Sequence, residues 1–351
     1  MENSQISYFT PKCVTNLFGI LPDGKEVYSY TLGNGRGLEA TFINYGATIT
    51  SLKAAAGDEV VDTVLGFDNI QNYIQSFGLP SGPYFGSVIG RYAGRISQAE
   101  VTLNGGTYKL NANNNGNTLH GGLSGFGRAY WQMKRIQGGE RPSIVFTYTS
   151  PDGEENFPGN LTIEVEYTLT PENELLVNYT AVTDKTTVLN LTQHSYFNLG
   201  GHTQTLERQL VQVTADEILE VTPEGIPTGN FTKVAGTALD FNQAAECPRS
   251  IDNSFVLPQN YERLAAKLYN PENGLEMTVY TDQPSVHIYV GGNCFGQLKG
   301  KEGADYHPYS GICFEAQNYP DAPNQPHFPK SVLNPGETYT QRTKFQFKHI
   351  L

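Results

Sequence analysis

The sequence predicts an all-β chain, a large antiparallel β-sandwich with few short helices. Two observations carry that expectation. Apolar and polar residues alternate with period two in segment after segment, the pattern of strands with one buried and one wet face. The composition agrees: of 351 residues only 17% are charged, while Tyr (21), Phe (18), Gly (37) and Pro (20) are abundant, as suits many short strands joined by tight turns.

The elements follow in chain order. "FDNIQNYIQSF" spaces Ile70, Tyr73, Ile74 and Phe77 at a helical period, with Asp68 as the expected N-cap. "VTLNGGTYKL" reads as a hairpin about Asn104, Gly105 and Gly106. "SIVFTYTS" and "ELLVNYTAVT" read as strands around the clearest case, "LTIEVEYTLT". There Leu161, Ile163, Val165, Tyr167 and Leu169 alternate with Thr162, Glu164, Glu166 and Thr168. "LERQLVQVTADEILEV" continues the pattern. "YERLAAKLY" fits a helix by spacing, but "NPENG" and "LEMTVYT" follow it, and a hairpin is the preferred reading. No internal repeat and no linker-like shift in composition divides residues 1–351, so one domain with face-to-face sheets is expected.

Charge and cysteine usage exclude several classes. The formal net charge is −12 with no basic run, a poor match to nucleic acid or anionic lipid. No apolar run approaches membrane-spanning length. Cys13, Cys247, Cys294 and Cys313 are scattered without C-x-x-C spacing, unlike a zinc ribbon or a disulfide scaffold. The N-terminal "MENSQISYFT" lacks a basic start followed by an apolar stretch, so a cytoplasmic enzyme is the simplest expectation.

Five stretches carry candidate chemistry. "NNGNTLHGG" sets His120 among turn-forming Asn and Gly, where a histidine is poor core filler. "IGRYAGRI" holds Arg91 and Arg95; "LNLTQHSYFNLGG" holds His194. "SIDNSFVL" holds Asp252; "GICFEAQNYPDAPNQPHFP" holds Glu315. Plain structural alternatives stand beside most of them. His120 suits a solvent-facing loop, Arg95 a surface ion pair, His194 a core position satisfied by a backbone carbonyl, and Asp252 a turn cap. Glu315 is hardest to explain structurally, because it follows Ile312, Cys313 and Phe314, and a carboxylate beside buried neighbours is costly unless paired or functional.

Together these stretches resemble the aldose 1-epimerase (galactose mutarotase) family. The matching pieces run in the family's order: "INYGATITSL", "GRYAGRI", "NTLHGG", "SPDGEENFPGNL", "LTQHSYFNL", "IDNSF" and "FEAQNYPDAPNQPHFP". The resemblance implies the galactose mutarotase type of β-sandwich, a supersandwich with a sugar cleft on one sheet. It implies Glu315 as general base and His194 as general acid. It also implies His120, Asp252 and Arg95 as sugar-binding residues. His287, in "PSVHIYVGG", stands where the family keeps a glutamine, and is taken as a further sugar-binding position. Two other departures are Gly94 and Gln193, at positions where the family often has Asn.

The implied reaction interconverts α and β anomers of free aldoses such as galactose and glucose. A base removes the C1-hydroxyl proton, an acid protonates the ring oxygen, and the open aldehyde recloses from its other face. No cofactor and no metal are implied, and neither a dinucleotide motif in a βαβ context nor a P-loop is present. The expected partners are small aldose sugars, with the protein a monomer or weak dimer. Rival readings are a hexose-6-phosphate 1-epimerase, which needs a second basic anchor, and a non-catalytic carbohydrate-binding protein. A glycoside hydrolase would have only Glu315 and Asp252 as its carboxylate pair. Two histidines and a glutamate also suit zinc by residue type, without H-E-x-x-H spacing to support it.

Overall fold

A computed structural model describes residues 10–258, 263–293 and 296–350 of the chain, so Cys294 lies outside the described residues. Among them, three antiparallel sheets dominate. The largest has nine strands, in the spatial order Gln132–Gln137, Ser143–Ser150, Leu161–Leu169, Glu174–Thr183, Tyr339–His349, Leu275–Thr281, Arg263–Asn270, Leu210–Val213 and Ala245–Glu246. A five-stranded sheet uses the N-terminal segments from Lys12–Ile20 to Glu59–Asp62. A six-stranded sheet runs Tyr196–Phe197, Ile312–Gln317, Ser285–Val290, Asp252–Val256, Glu217–Val221 and Pro227–Lys233.

The period-two reading is realised directly. In Leu161–Leu169 the residues Leu161, Ile163, Val165, Tyr167 and Leu169 are buried. On the wet face Glu164 pairs with Lys134, and Glu166 with Arg135 at 2.7 Å. The expected hairpins form at Glu100–Leu103 with Gly106–Lys109, and at Arg263–Asn270 with Leu275–Thr281. "LERQLVQVTADEILEV" does something a one-dimensional reading does not reveal. Leu210–Val213 belongs to the nine-stranded sheet and Glu217–Val221 to the six-stranded one, so the chain changes sheets between them. One continuous core joins all three sheets, with Phe42 and Leu52, Val165 and Phe345, and Phe255, Val286 and Phe314 as members.

The helix occupies Ile70–Ser76, but its cap differs from the expectation. Asn69, in extended backbone, accepts the N–H of Asn72 on its side-chain oxygen at 2.9 Å. Asp68 instead accepts the N–H of Glu302 at 3.2 Å, tying the helix entry to a distant loop. The physical reason is position: the cap residue must lie immediately before the first helical residue, and that is Asn69. Asn69→Ala should therefore lower stability by about 1 kcal/mol, read as a shift in the urea unfolding midpoint at unchanged slope. An unshifted midpoint would remove Asn69 as the cap.

Candidate active site

The six-stranded sheet sorts its side chains by face. Phe255, Val286, Ile288 and Phe314 point into the shared core. The alternate positions point the other way. Ser254, His287 and Glu315 are register partners on three neighbouring strands and form one row; Asp252, Tyr289, Cys313 and Tyr196 form the next. Because partnered residues share a face, polar groups from four distant sequence segments converge on one wall. That wall backs a cavity of about 460 Å³, also lined by His120, His194, Arg95, Tyr84, Gln317, Phe77 and Arg128.

Opposite the wall, the Asn- and Gly-rich loop presents His120. Asn113 organises it from within: its side-chain oxygen accepts the Leu119 N–H at 2.7 Å, and its amide donates to the carbonyls of Leu119 and Gly122. Glu155, from the "SPDGEENFPGNL" stretch, accepts the N–H groups of Leu123 and Ser124, both at 2.9 Å. At Gly121 the backbone has φ +86, and a Cβ would stand 2.0 Å from the Gly90 carbonyl oxygen, so only glycine fits. His120 itself has φ 52, an unusual conformation for a non-glycine residue that the loop's hydrogen bonds hold in place.

His194 lies between the wall and the loop. It is 4% exposed, its ring stacks on Tyr196 with centroids 5.2 Å apart, and the His120 ring meets it edge-on at 5.4 Å. Its Nε2 is 3.5 Å from Glu315 Oε1, and its Nδ1 lies 3.6 Å from the Cys313 thiol. Glu315 is 2% exposed, and its second oxygen, Oε2, is buried with no hydrogen-bond partner among the described residues. A buried carboxylate oxygen without a donor is costly, and in a polar cleft it can accept a hydrogen bond from a hydroxyl group.

Electrostatics separate the three histidines. Burial lowers the His194 pKa against the opposing pull of Glu315. Burial, then the neighbouring His194 and Arg95, push His120 well below the ordinary imidazole value, so it is neutral at pH 7. For His287 burial acts downward too, but the hydrogen bond and charge of Asp252 outweigh it and the net shift is upward. Asp252, partly buried, is nevertheless held down at about 2 by His287, with help from Arg95 and His120.

The two arginines of "IGRYAGRI" part company. Arg95 reaches the cleft, with its Nε donating to Asn114 Oδ1 at 3.1 Å. Arg91 is buried and donates to the carbonyls of Pro158 and Gly159 at 2.8 and 3.0 Å, so its work is to hold loops together. Burial brings its pKa down to about 10.

His120, His194 and Glu315 bring metal-ligand-type atoms within 4.8 Å of one another, the residue set of a catalytic zinc site. The hydrogen bonds do not suit a metal. The Gly94 N–H donates to His120 Nδ1 at 3.3 Å, so neutral His120 carries its proton on Nε2 and keeps no free ring lone pair. The same tautomer makes His120 a hydrogen-bond donor, which suits a sugar oxygen.

The family model for aldose 1-epimerase matches residues 28–346. The chain belongs to the aldose 1-epimerase family. A galactose mutarotase of Bos taurus is 41% identical over 343 residues, covering 94% of this chain and 97% of its own. The aldose 1-epimerase of Escherichia coli K12 is 32% identical over 345 residues, covering 93% and 97%. Among solved structures, a galactose 1-epimerase from Lactobacillus acidophilus NCFM superposes with a TM-score of 0.83 at 26% identity, over 97% of this chain and 99% of that one.

Within this aldose 1-epimerase fold, the departures from the family pattern become concrete. Gly94 has φ +77, and a Cβ there would lie 2.9 Å from Pro320, so the absent side chain opens the cleft beside Gln317. Gln193 does not reach the sugar side. Its amide donates to the Gly86 carbonyl at 2.7 Å and its oxygen accepts the Ser195 N–H at 3.0 Å. Sequence reasoning missed Gln317, buried on the cleft wall with its Oε1 unpartnered among the described residues. The signal was present, since Gln317 is two residues from Glu315 on the same strand face. It also missed Tyr84, Tyr196 and Arg128, which nothing short of the fold brings to the cleft.

Proposed function

We propose that this aldose 1-epimerase family member is an isomerase that interconverts α and β anomers of free aldohexoses such as galactose and glucose. The observation that carries the reading is the buried, half-unpartnered Glu315 carboxylate held 3.5 Å from His194 Nε2. The two oxygens that exchange protons in a hemiacetal are bonded to one carbon, so a base and an acid this close can serve both. Glu315 takes the C1-hydroxyl proton, His194 delivers one to the ring oxygen, the C1–ring oxygen bond opens, and reclosure returns both protons. His120, Asp252 and Arg95 hold hydroxyl groups and orient the ring. The whole chain 1–351 is read as one domain built around this cleft.

The hexose-6-phosphate alternative has one observation in its favour: Arg128 also lines the cavity. Its guanidinium is already engaged, donating to the Leu123 carbonyl at 3.1 Å and lying 5.6 Å over the Phe77 ring. Polarimetry on fresh α-glucose, α-galactose and glucose 6-phosphate at equal concentration tests both. Faster mutarotation of the free sugars is expected. A clear preference for the phosphate would replace the reading with the alternative, and no acceleration of any would leave a non-catalytic carbohydrate-binding protein.

A further inference from the structure

His287 stands where the family resemblance implies a glutamine, an amide that carries no charge. It sits in the middle of a three-residue chain. Its Nε2 lies 2.7 Å from Asp252 Oδ1 and its Nδ1 lies 2.8 Å from Ser254 Oγ. Both ring nitrogens are therefore spent within the wall, and neither is free to bind a sugar hydroxyl. Asp252 is different: its side chain is 52% exposed, and its Oδ2 has no hydrogen-bond partner among the described residues.

We propose that His287 is a positioning residue for sugar binding, a charged clamp that fixes Asp252 by one oxygen so that the other is presented to a sugar hydroxyl. The proposal rests on the mutarotase reading above for its substrate, but not for the state of the clamp. A glutamine here can donate an amide hydrogen to Asp252 but can carry no charge.

The chain of hydrogen bonds survives either charge state of the ring, which is why Ser254 matters. Against ionised Asp252 the Nε2 hydrogen stays in place. When the ring is charged, Nδ1–H donates to Ser254 Oγ; when it is neutral, the hydroxyl rotates and donates to Nδ1. What deprotonation removes is charge. The charged ring neutralises one of two carboxylates on this wall, Asp252 beside it and Glu315, its register partner on the next strand. The other titratable or charged groups facing it are Arg95, His120 and His194 across the cleft and Tyr289 on its own strand. Without the imidazolium, the grip on Asp252 weakens from a charge-assisted to an ordinary hydrogen bond, and two carboxylates face the sugar. Since the His287 pKa is raised, the charge is present below that raised value and is lost as pH rises through it.

The test is a split of KM from kcat across pH, together with a direct reading of the ring. For the wild type, KM for galactose should rise as pH passes upward through the His287 titration. His287→Gln should raise KM by about tenfold or more, with a smaller change in kcat, and make KM independent of pH over that range. In ¹⁵N-histidine-labelled protein, one imidazole should keep both N–H protons at neutral pH. Asp252→Asn should lower that ring's midpoint by about one unit or more. His287→Gln with the wild-type dependence of KM on pH, or a His287 ring neutral at pH 7, would overturn the proposal. If His287→Gln does not fold, the Asp252→Asn titration decides alone. If the wild type shows no mutarotation, the substrate reading fails, while the nitrogen spectra still accept or reject the charged clamp.

Discussion

Glu315→Gln should lower kcat for mutarotation by about 10²-fold or more while sugar still binds. Glutamine keeps the size and most of the hydrogen bonding of the side chain but cannot accept a proton at neutral pH. The structure makes this substitution a clean one. Oε1 faces His194 at 3.5 Å, and Oε2 takes no hydrogen bond among the described residues, so the amide displaces no internal donor. Stability should be nearly unchanged or slightly improved, because a buried charge is replaced by a neutral group. The check is polarimetry on protein whose circular dichroism and unfolding midpoint match the wild type. Near-normal turnover would remove Glu315 as the base.

His194→Ala should cost a comparable factor in kcat, and the two losses should not multiply. A base and an acid that act on one hemiacetal in one step form a unit, so the double variant should be little worse than either single. Fully multiplicative losses would mean that the two groups act in separate steps. The pH dependence gives an independent readout. As general acid, His194 must be protonated, and burial lowers its pKa. The protonated form is present below that lowered value and is lost as pH rises through it. A limb of kcat/KM that falls with rising pH is therefore expected on the acid side of an ordinary imidazole, about 6.5. It should disappear in His194→Ala. The lowered pKa is a trade: fewer rings are protonated, but each is a stronger acid. The KM effect ascribed to His287 lies on the other side of the ordinary value, because its shift is upward.

Much of the site was legible before the fold was known, and the reasons differ by residue. Glu315 was visible because a carboxylate directly after Ile312, Cys313 and Phe314 has no cheap structural explanation. In the structure Phe314 lies in the core and Glu315 lines the cleft. His120 was visible because Asn and Gly around it make a shaped turn. What shapes it, Asn113 from within and Glu155 from a segment about thirty residues on, was not. By residue type alone Arg91 and Arg95, four positions apart in one motif, were indistinguishable, and it was the family resemblance that singled out Arg95. Only the fold buries one among loop carbonyls and turns the other to the cleft.

By itself, the sequence determined the strand periodicity, the all-β class, the exclusion of phosphate-cradling motifs, and the identities of a carboxylate and histidines suited to proton transfer. These are local properties: alternation, turn chemistry and residue type are written along the chain. The tertiary structure alone decided which of those groups meet. Register pairing of Asp252–Val256, Ser285–Val290 and Ile312–Gln317 aligns Ser254, His287 and Glu315 in one row, although they lie 33 and 28 positions apart in sequence. It also decided that His287 spends both nitrogens on Asp252 and Ser254 rather than offering them to a sugar. The physical reason is that a strand's two faces are set by its own period, whereas its neighbours are set by the hydrogen-bonded sheet. A shift of one residue in any pairing would have sent these same side chains into the core.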